Sequence, residues 1–233
     1  RFSAAGYRTA AFVSSFTLRS ALGLDQGFTV YNSAGNRNRD GRISAEKFGS
    51  WLGVTEGPVF AWYHTFDPHG PFKRHLKEGD LHPGLEADPA LMSHIPQYQQ
   101  IEGYTDPGLY TKLYARGVEA ADTAVGWVIE AIKATGRYDD ALIIFFSDHG
   151  EGFQERDLWF DHGAYPHVEQ ARVPLLVKLP KGTDAGTADG RLVSLIDIAP
   201  TALAMASLQA LPDAEGVSLR QSGVLHPSLS AES

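Results

Sequence analysis

The stretch Ala141-Leu142-Ile143-Ile144-Phe145-Phe146-Ser147-Asp148-His149-Gly150-Glu151 decides how this sequence is read. Its first six residues form an unbroken apolar run with no in/out alternation, the pattern of a strand buried on both faces. Residues 58–63 (PVFAWY), opened by Gly57-Pro58, and residues 174–179 (PLLVKL) have the same character. Residues 9–13 (TAAFV) read as a short buried strand after a helical turn closed by Gly6. Helical patterns lie between these runs. Asp106 is an N-cap with Pro107 in the first helical position. Leu109, Leu113, Ala121, Val125, Val128, Ile129 and Ile132 then follow at helical spacing up to Gly136. Residues 43–52 predict a modest helix through Ile43, Phe48, Trp51 and Leu52, and residues 198–208 a last one. Strands alternating with helices predict an α/β fold: a mostly parallel sheet with helices on both faces. Residues 64–107 are rich in Pro, Gly and His and predict a long irregular excursion, a length more often functional than idle.

Composition narrows the chemistry. A chain of 233 residues, 43% of them hydrophobic, suits one compact domain. A net charge of −8 with no basic patch argues against a nucleic-acid partner. An anionic substrate would need a local positive centre, such as a metal. There is no cysteine, hence no disulfide and no thiolate ligand. The longest purely apolar run, residues 141–146, is far short of the ~20 residues of a membrane span.

In open parallel sheets ligands bind beyond the carboxyl ends of the strands, so the residues after each apolar run carry the search. Asp148 and His149 put a carboxylate and an imidazole side by side, with Gly150 expected to let the backbone bend. The pair suits a divalent cation whose other ligands come from elsewhere, and equally a polar turn capping a strand. After residues 58–63, His64 and His69 flank Asp67-Pro68. A histidine there can donate to an anionic substrate or protonate a leaving group. His162 stands in Asp161-His162-Gly163, on the loop leading to the last apolar run. Each cluster alone is a common loop; together they would leave one edge of one sheet. No G-x-S-x-G elbow, Gly-rich phosphate loop or G-x-G-x-x-G accompanies them.

These stretches, taken in order, resemble the sulfatase branch of the alkaline phosphatase superfamily. Ala5-Gly6-Tyr7-Arg8-Thr9-Ala10-Ala11-Phe12 is similar to the family's helix-to-strand join, and Leu22-Gly23-Leu24-Asp25-Gln26-Gly27-Phe28 to the turn that follows. Phe66-Asp67-Pro68-His69-Gly70-Pro71-Phe72 resembles its D-P-H-x-P-Y loop. Ser147-Asp148-His149-Gly150-Glu151 resembles its metal motif, followed by His162-Gly163 and Arg172-Val173-Pro174. Leu195-Ile196-Asp197-Ile198-Ala199-Pro200-Thr201 resembles its D-I-x-P-T helix start.

The resemblance implies an alkaline-phosphatase-like α/β fold and a sulfuric ester hydrolase acting on a small-molecule or saccharide sulfate ester. It implies Asp148 and His149 as two ligands of a divalent cation, most often Ca2+, with Mn2+, Zn2+ or Mg2+ as alternatives. His69 would contact the transferred group or the leaving oxygen. His162 stands where the family places a Lys or His that neutralises substrate oxygens, and His64 would touch substrate or support those that do. Glu151 and Asp161 sit beside motif positions and receive no role. The family's nucleophile, a formylglycine made from Cys or Ser in a C/S-x-P-x-R motif, has no counterpart among these residues. The expectation is therefore a partial catalytic domain over residues 1–219, lacking the N-terminal nucleophile segment. Residues 220–233 would be a tail or the start of a shortened C-terminal subdomain. A phosphodiesterase, phosphonate hydrolase or phosphotransferase on the same scaffold, or a non-catalytic truncated relative, are the rival readings. The resemblance also suggests a periplasmic or secreted location.

Overall fold

A computed structural model describes residues 1–82, 88–155 and 159–220. Strand β1 (Arg8–Val13) lies between β2 (Val30–Asn32) and β3 (Val59–His64), all three parallel. The register pairs Ala10 with Ala61 and Phe12 with Tyr63. Because side chains alternate along a strand, Ala10, Phe12 and Tyr63 share one face, while His64 and Phe60 take the other. Helix α1 (Gly41–Gly53) covers the first face with Ala45, Phe48 and Leu52. It starts at Asp40, whose carboxylate accepts the Arg42 N–H at 2.8 Å. On the second face Phe2 stacks on Phe60 at 4.1 Å, with Phe28 beside them.

Helix α3 (Pro107–Ala134) is the beam of the molecule, and the short α2 (Pro89–Met92) precedes it. The Asp106 carboxylate accepts the Leu109 N–H at 2.7 Å, so the cap read from sequence is present. At 28 residues α3 is about 42 Å long, enough to serve two cores. Its C-terminal half adds Val128, Ala131 and Ile132 to the cluster beneath β1. Its N-terminal half adds Leu109, Tyr110 and Leu113 to a second cluster with Phe72, Ile95, Ile101 and Phe160. The irregular excursion thus packs on α3 instead of hanging free. Gly117 permits close approach of the excursion to α3: a Cβ there would meet the Asp67 carbonyl oxygen at 2.6 Å and the Pro68 Cα at 3.0 Å.

Strands β4 (Ile143–Phe146) and β5 (Leu175–Lys178) pair antiparallel, with Phe146 opposite Leu175. Between them lies the short α4 (Val168–Ala171), and α5 (Ile198–Met205) follows. The α/β class and the parallel sheet agree with the sequence reading. The placement of the three histidine loops on one edge of one sheet does not hold: among the described residues β4 and β5 form a ladder of their own. Nor is β4 buried on both faces, since Phe145 and Phe146 are 42% and 40% exposed. An apolar run encodes a demand for cover, not strand direction or partner. Residues 221–233, most of the expected tail, lie outside the described residues. Among the described residues no helix is long and apolar enough to cross a membrane.

Candidate active site

The loop after β3 is fixed before it presents a histidine. The Asp67 carboxylate, buried, accepts the Gly41 N–H at 2.9 Å and the Thr65 hydroxyl, so it sits on the N-terminus of α1. Arg74 donates to the carbonyls of Phe66, Asp67 and His69, gathering the turn around one guanidinium. His69 leaves this turn with its ring stacked on Phe66 at 4.1 Å and its Nδ1 bonded to the Gly70 carbonyl at 2.8 Å.

The other two histidines are brought together by local pairing. The Phe160 N–H donates to the Gly152 carbonyl at 2.8 Å, and the Gly152 N–H to the Asp161 carbonyl at 3.1 Å. Gln170 adds a second tie: its carbonyl accepts the Gly150 N–H and its Oε1 the Gly163 N–H. Gly150 was expected to supply a bend, but its φ is ordinary. A Cβ there would collide with the Glu169 carbonyl, so the glycine serves close approach of α4. His149 bonds the Gly150 carbonyl through Nδ1 at 2.7 Å. His162 bonds the two Glu151 carboxylate oxygens through Nδ1 at 3.1 and 3.3 Å.

The three rings converge. His149 stacks on His162 at 4.0 Å, and His69 stands edge-on to His162 at 4.9 Å. One ring nitrogen from each lies within 4.8 Å of the others. His64 stands apart from the trio. Its Nδ1 accepts the Ser14 N–H at 3.4 Å, and its ring adjoins Trp62 and Phe66. Asp148 is exposed, with Oδ1 3.9 Å from His149 Nε2, a gap that a cation bound to both at ~2.1 Å can bridge.

The electrostatics separate the histidines. Burial pushes His69 below the ordinary imidazole value, with the Gly70 carbonyl only partly offsetting it. Burial also lowers His64. His162 moves the other way, because hydrogen bonding to Glu151 outweighs desolvation. Near neutral pH, His162 is therefore the ring drawn toward a positive charge and able to donate to an anionic oxygen, while His69 and His64 favour their neutral forms.

Two buried residues in this arrangement received no role from the sequence. Glu151, whose side chain is 5% exposed, holds His162. Gln99, fully buried, accepts the Phe72 N–H at 3.0 Å and donates to the Phe160 carbonyl at 3.1 Å, clamping the His69 loop to the His162 loop. Phe160 itself holds a left-handed φ of 53°, kept in place by its stack on Tyr110 at 4.7 Å.

The parallel sheet, the Asp-His pair after β4 and the three converging imidazoles make up the candidate site. The profile of the family described as Sulfatase matches residues 2–208, and the chain belongs to that family. Members generally work with a divalent metal. The chain is 31% identical to an N-acetylglucosamine-6-O-sulfatase of Bacteroides thetaiotaomicron over 48% of its own length and 20% of the relative's. It is 34% identical to a choline-sulfatase of Rhizobium meliloti over 46% of its length and 21% of that protein's. Among solved structures, a phosphonate monoester hydrolase of Agrobacterium radiobacter superposes with a TM-score of 0.72 at 20% identity, covering 93% of this chain and 59% of that one. The matched stretches are thus about a fifth of these two curated relatives.

Proposed function

We propose that these residues are the metal- and substrate-binding part of a sulfuric ester hydrolase acting on a small-molecule or saccharide sulfate ester. The observation that carries the reading is the convergence of His69, His149 and His162 in a chain of the sulfatase family. What must come from outside these residues is a nucleophile at sulfur, formylglycine by resemblance, and a divalent cation, calcium in the family's usual pattern. This chain's own residues then have distinct tasks. Asp148 and His149 hold the cation. His162, drawn toward its charged form and aimed by Glu151, donates to the sulfate oxygens as negative charge gathers on them. His69, held by Phe66 and Gly70, contacts the leaving oxygen as the S–O bond breaks. His64 supports this from behind Phe66.

The test is a substrate panel on the full-length protein carrying residues 1–233: an aryl sulfate, an aryl phosphate and an aryl phosphonate monoester. The reading expects the sulfate ester to be turned over fastest. Turnover of the phosphorus esters with the sulfate untouched would move the assignment to a phosphonate or phosphodiester hydrolase. Inertness toward all three after metal loading would mark a non-catalytic relative.

A further inference from the structure

Gln99 stands at the centre of a second arrangement, on the rim of the three histidines. Its amide lies against Gly70, where a Cβ would collide with it, and donates to the Phe160 carbonyl at 3.1 Å. Phe160 is fully buried, while Trp159 and Asp161 on either side of it reach the surface. Two more contacts cross between the same two segments there. The exposed His94 stacks on the half-buried Trp159 at 5.3 Å. Tyr98, 42% exposed, donates its hydroxyl to Asp161 Oδ1 at 3.3 Å. Burial, with Asp161 and Glu151 adding to it, pushes the Tyr98 phenol above its ordinary value, so the hydroxyl keeps its proton. The turn that presents Tyr98 is held firmly: the Gln99 N–H donates to the Pro96 carbonyl at 2.8 Å, and the Gln100 side chain to the carbonyls of Met92 and Ile95. Both members of the pair lie beside the reacting histidines. Tyr98 adjoins Gln99, which packs on Gly70 next to His69, and Asp161 adjoins His162.

We propose that Tyr98 and Asp161, flanked by the His94–Trp159 stack, bind the alcohol part of the ester and favour a polyhydroxylated alcohol, a sugar, over an aryl one. The inference deepens the reading above by naming the residues that choose the alcohol, and it rests on that reading for the side of the histidines on which the alcohol leaves. An ester with its sulfate oxygens on His162 and its leaving oxygen on His69 brings its alcohol to this rim. The Asp161 carboxylate keeps acceptor positions beyond the one that Tyr98 uses. Hydroxyls bonded to an ionised acceptor make the stronger class of hydrogen bond. Tyr98 and Trp159 add ring surface with polar handles, which suits a sugar, apolar on its C–H faces and polar at its edge. An aryl alcohol offers no hydroxyl in return, and a site built to hydrogen-bond a substrate discriminates against the analogue that lacks the group.

Steady-state kinetics on the full-length protein test this, with 4-nitrophenyl sulfate as the aryl ester and methyl glucopyranosides monosulfated at O2, O3, O4 or O6 as the sugars. The readout is kcat/KM for the best sugar ester divided by that for the aryl ester, in the wild type, Tyr98→Ala and Asp161→Ala. Any effect of Asp161 on the charge of His162 falls on both esters and cancels in this ratio. The ratio should fall at least ~10-fold in each variant, chiefly through KM for the sugar. A smaller fall in either variant overturns the proposal, as does an enzyme that cleaves the aryl sulfate and none of the sugar sulfates. Should either alanine variant not fold, Tyr98→Phe, which keeps the ring and loses the hydroxyl, must lower the ratio at least ~3-fold. If only phosphate esters are cleaved, the same ratio on sugar and aryl phosphates decides, and a fall of at least ~10-fold keeps the subsite and removes only the sulfate reading. If no ester is cleaved, calorimetry with the sugar sulfates decides: binding weakened at least ~10-fold by Tyr98→Ala keeps the subsite, and binding that is absent or less affected removes it. A working sulfatase whose ratio does not move would remove only the subsite.

Discussion

The two strand systems of this molecule satisfy similar sequences in opposite ways. In β1, residues Ala10 to Val13 are no more than 2% exposed, walled by α1 and by β2 and β3. In the β4–β5 pair Phe145 is 42% and Leu176 59% exposed, although both strands read as continuous apolar runs. The first region is closed by its own neighbours in sequence and by the C-terminal half of α3. The second carries the Asp148-His149 motif and takes its order from loop hydrogen bonds, the Gln99 clamp and the single buried anchor Phe160. Stability is therefore concentrated in the first and chemistry at the mouth of the second.

Substitutions in the two regions should separate them. Phe12→Ala removes a ring packed on Phe48 at 5.8 Å and should cost about 3–5 kcal/mol in urea unfolding. If it costs no more than a surface change, the closed region is not where stability lies. Gln99→Leu strands the buried Phe72 N–H and Phe160 carbonyl and should cost about 2 kcal/mol. An unchanged transition midpoint would mean the clamp is not needed to hold the two histidine loops.

Asp80 sharpens the comparison through pH. Arg116 and Lys112, both on α3, together hold its carboxyl below the usual range, tying the excursion to the beam. A depressed folded-state value means the stabilisation is present above the unfolded value of about 4 and is lost as pH falls through the folded one. The melting-temperature gap between wild type and Asp80→Asn should be full at about pH 6–7 and shrink below about pH 4. A gap that stays constant down to about pH 2 would contradict it. The smallest effect belongs to the open region: Leu176→Ala should change stability by less than about 0.5 kcal/mol. A large loss there would show that the exposed face is covered in the working protein.

The legible parts of this structure were those written locally. Asp106-Pro107 announced α3, and the run at residues 9–13 announced β1, because caps and short buried strands leave their marks within a few residues. The partnership of β4 with β5 was hidden, since pairing direction is decided by whatever else meets the strand. In the candidate site, His69, His149 and His162 were each visible after an apolar run or in a loop approaching one, and they do meet. The roles of their supports were not visible. Glu151 acts across eleven residues and Gln99 across sixty-one, and no period or spacing marks a residue whose partner is set by tertiary folding alone.

One measurement bears most directly on the converging histidines: turnover of an aryl sulfate at saturating substrate by the full-length protein and by its His162→Ala variant. Loss of a preorganised donor to the developing charge should lower turnover by about 10²–10³-fold, with the unfolding midpoint little changed. Turnover equal to wild type would contradict the role given to His162, and with it the claim that the converging histidines are the reacting centre.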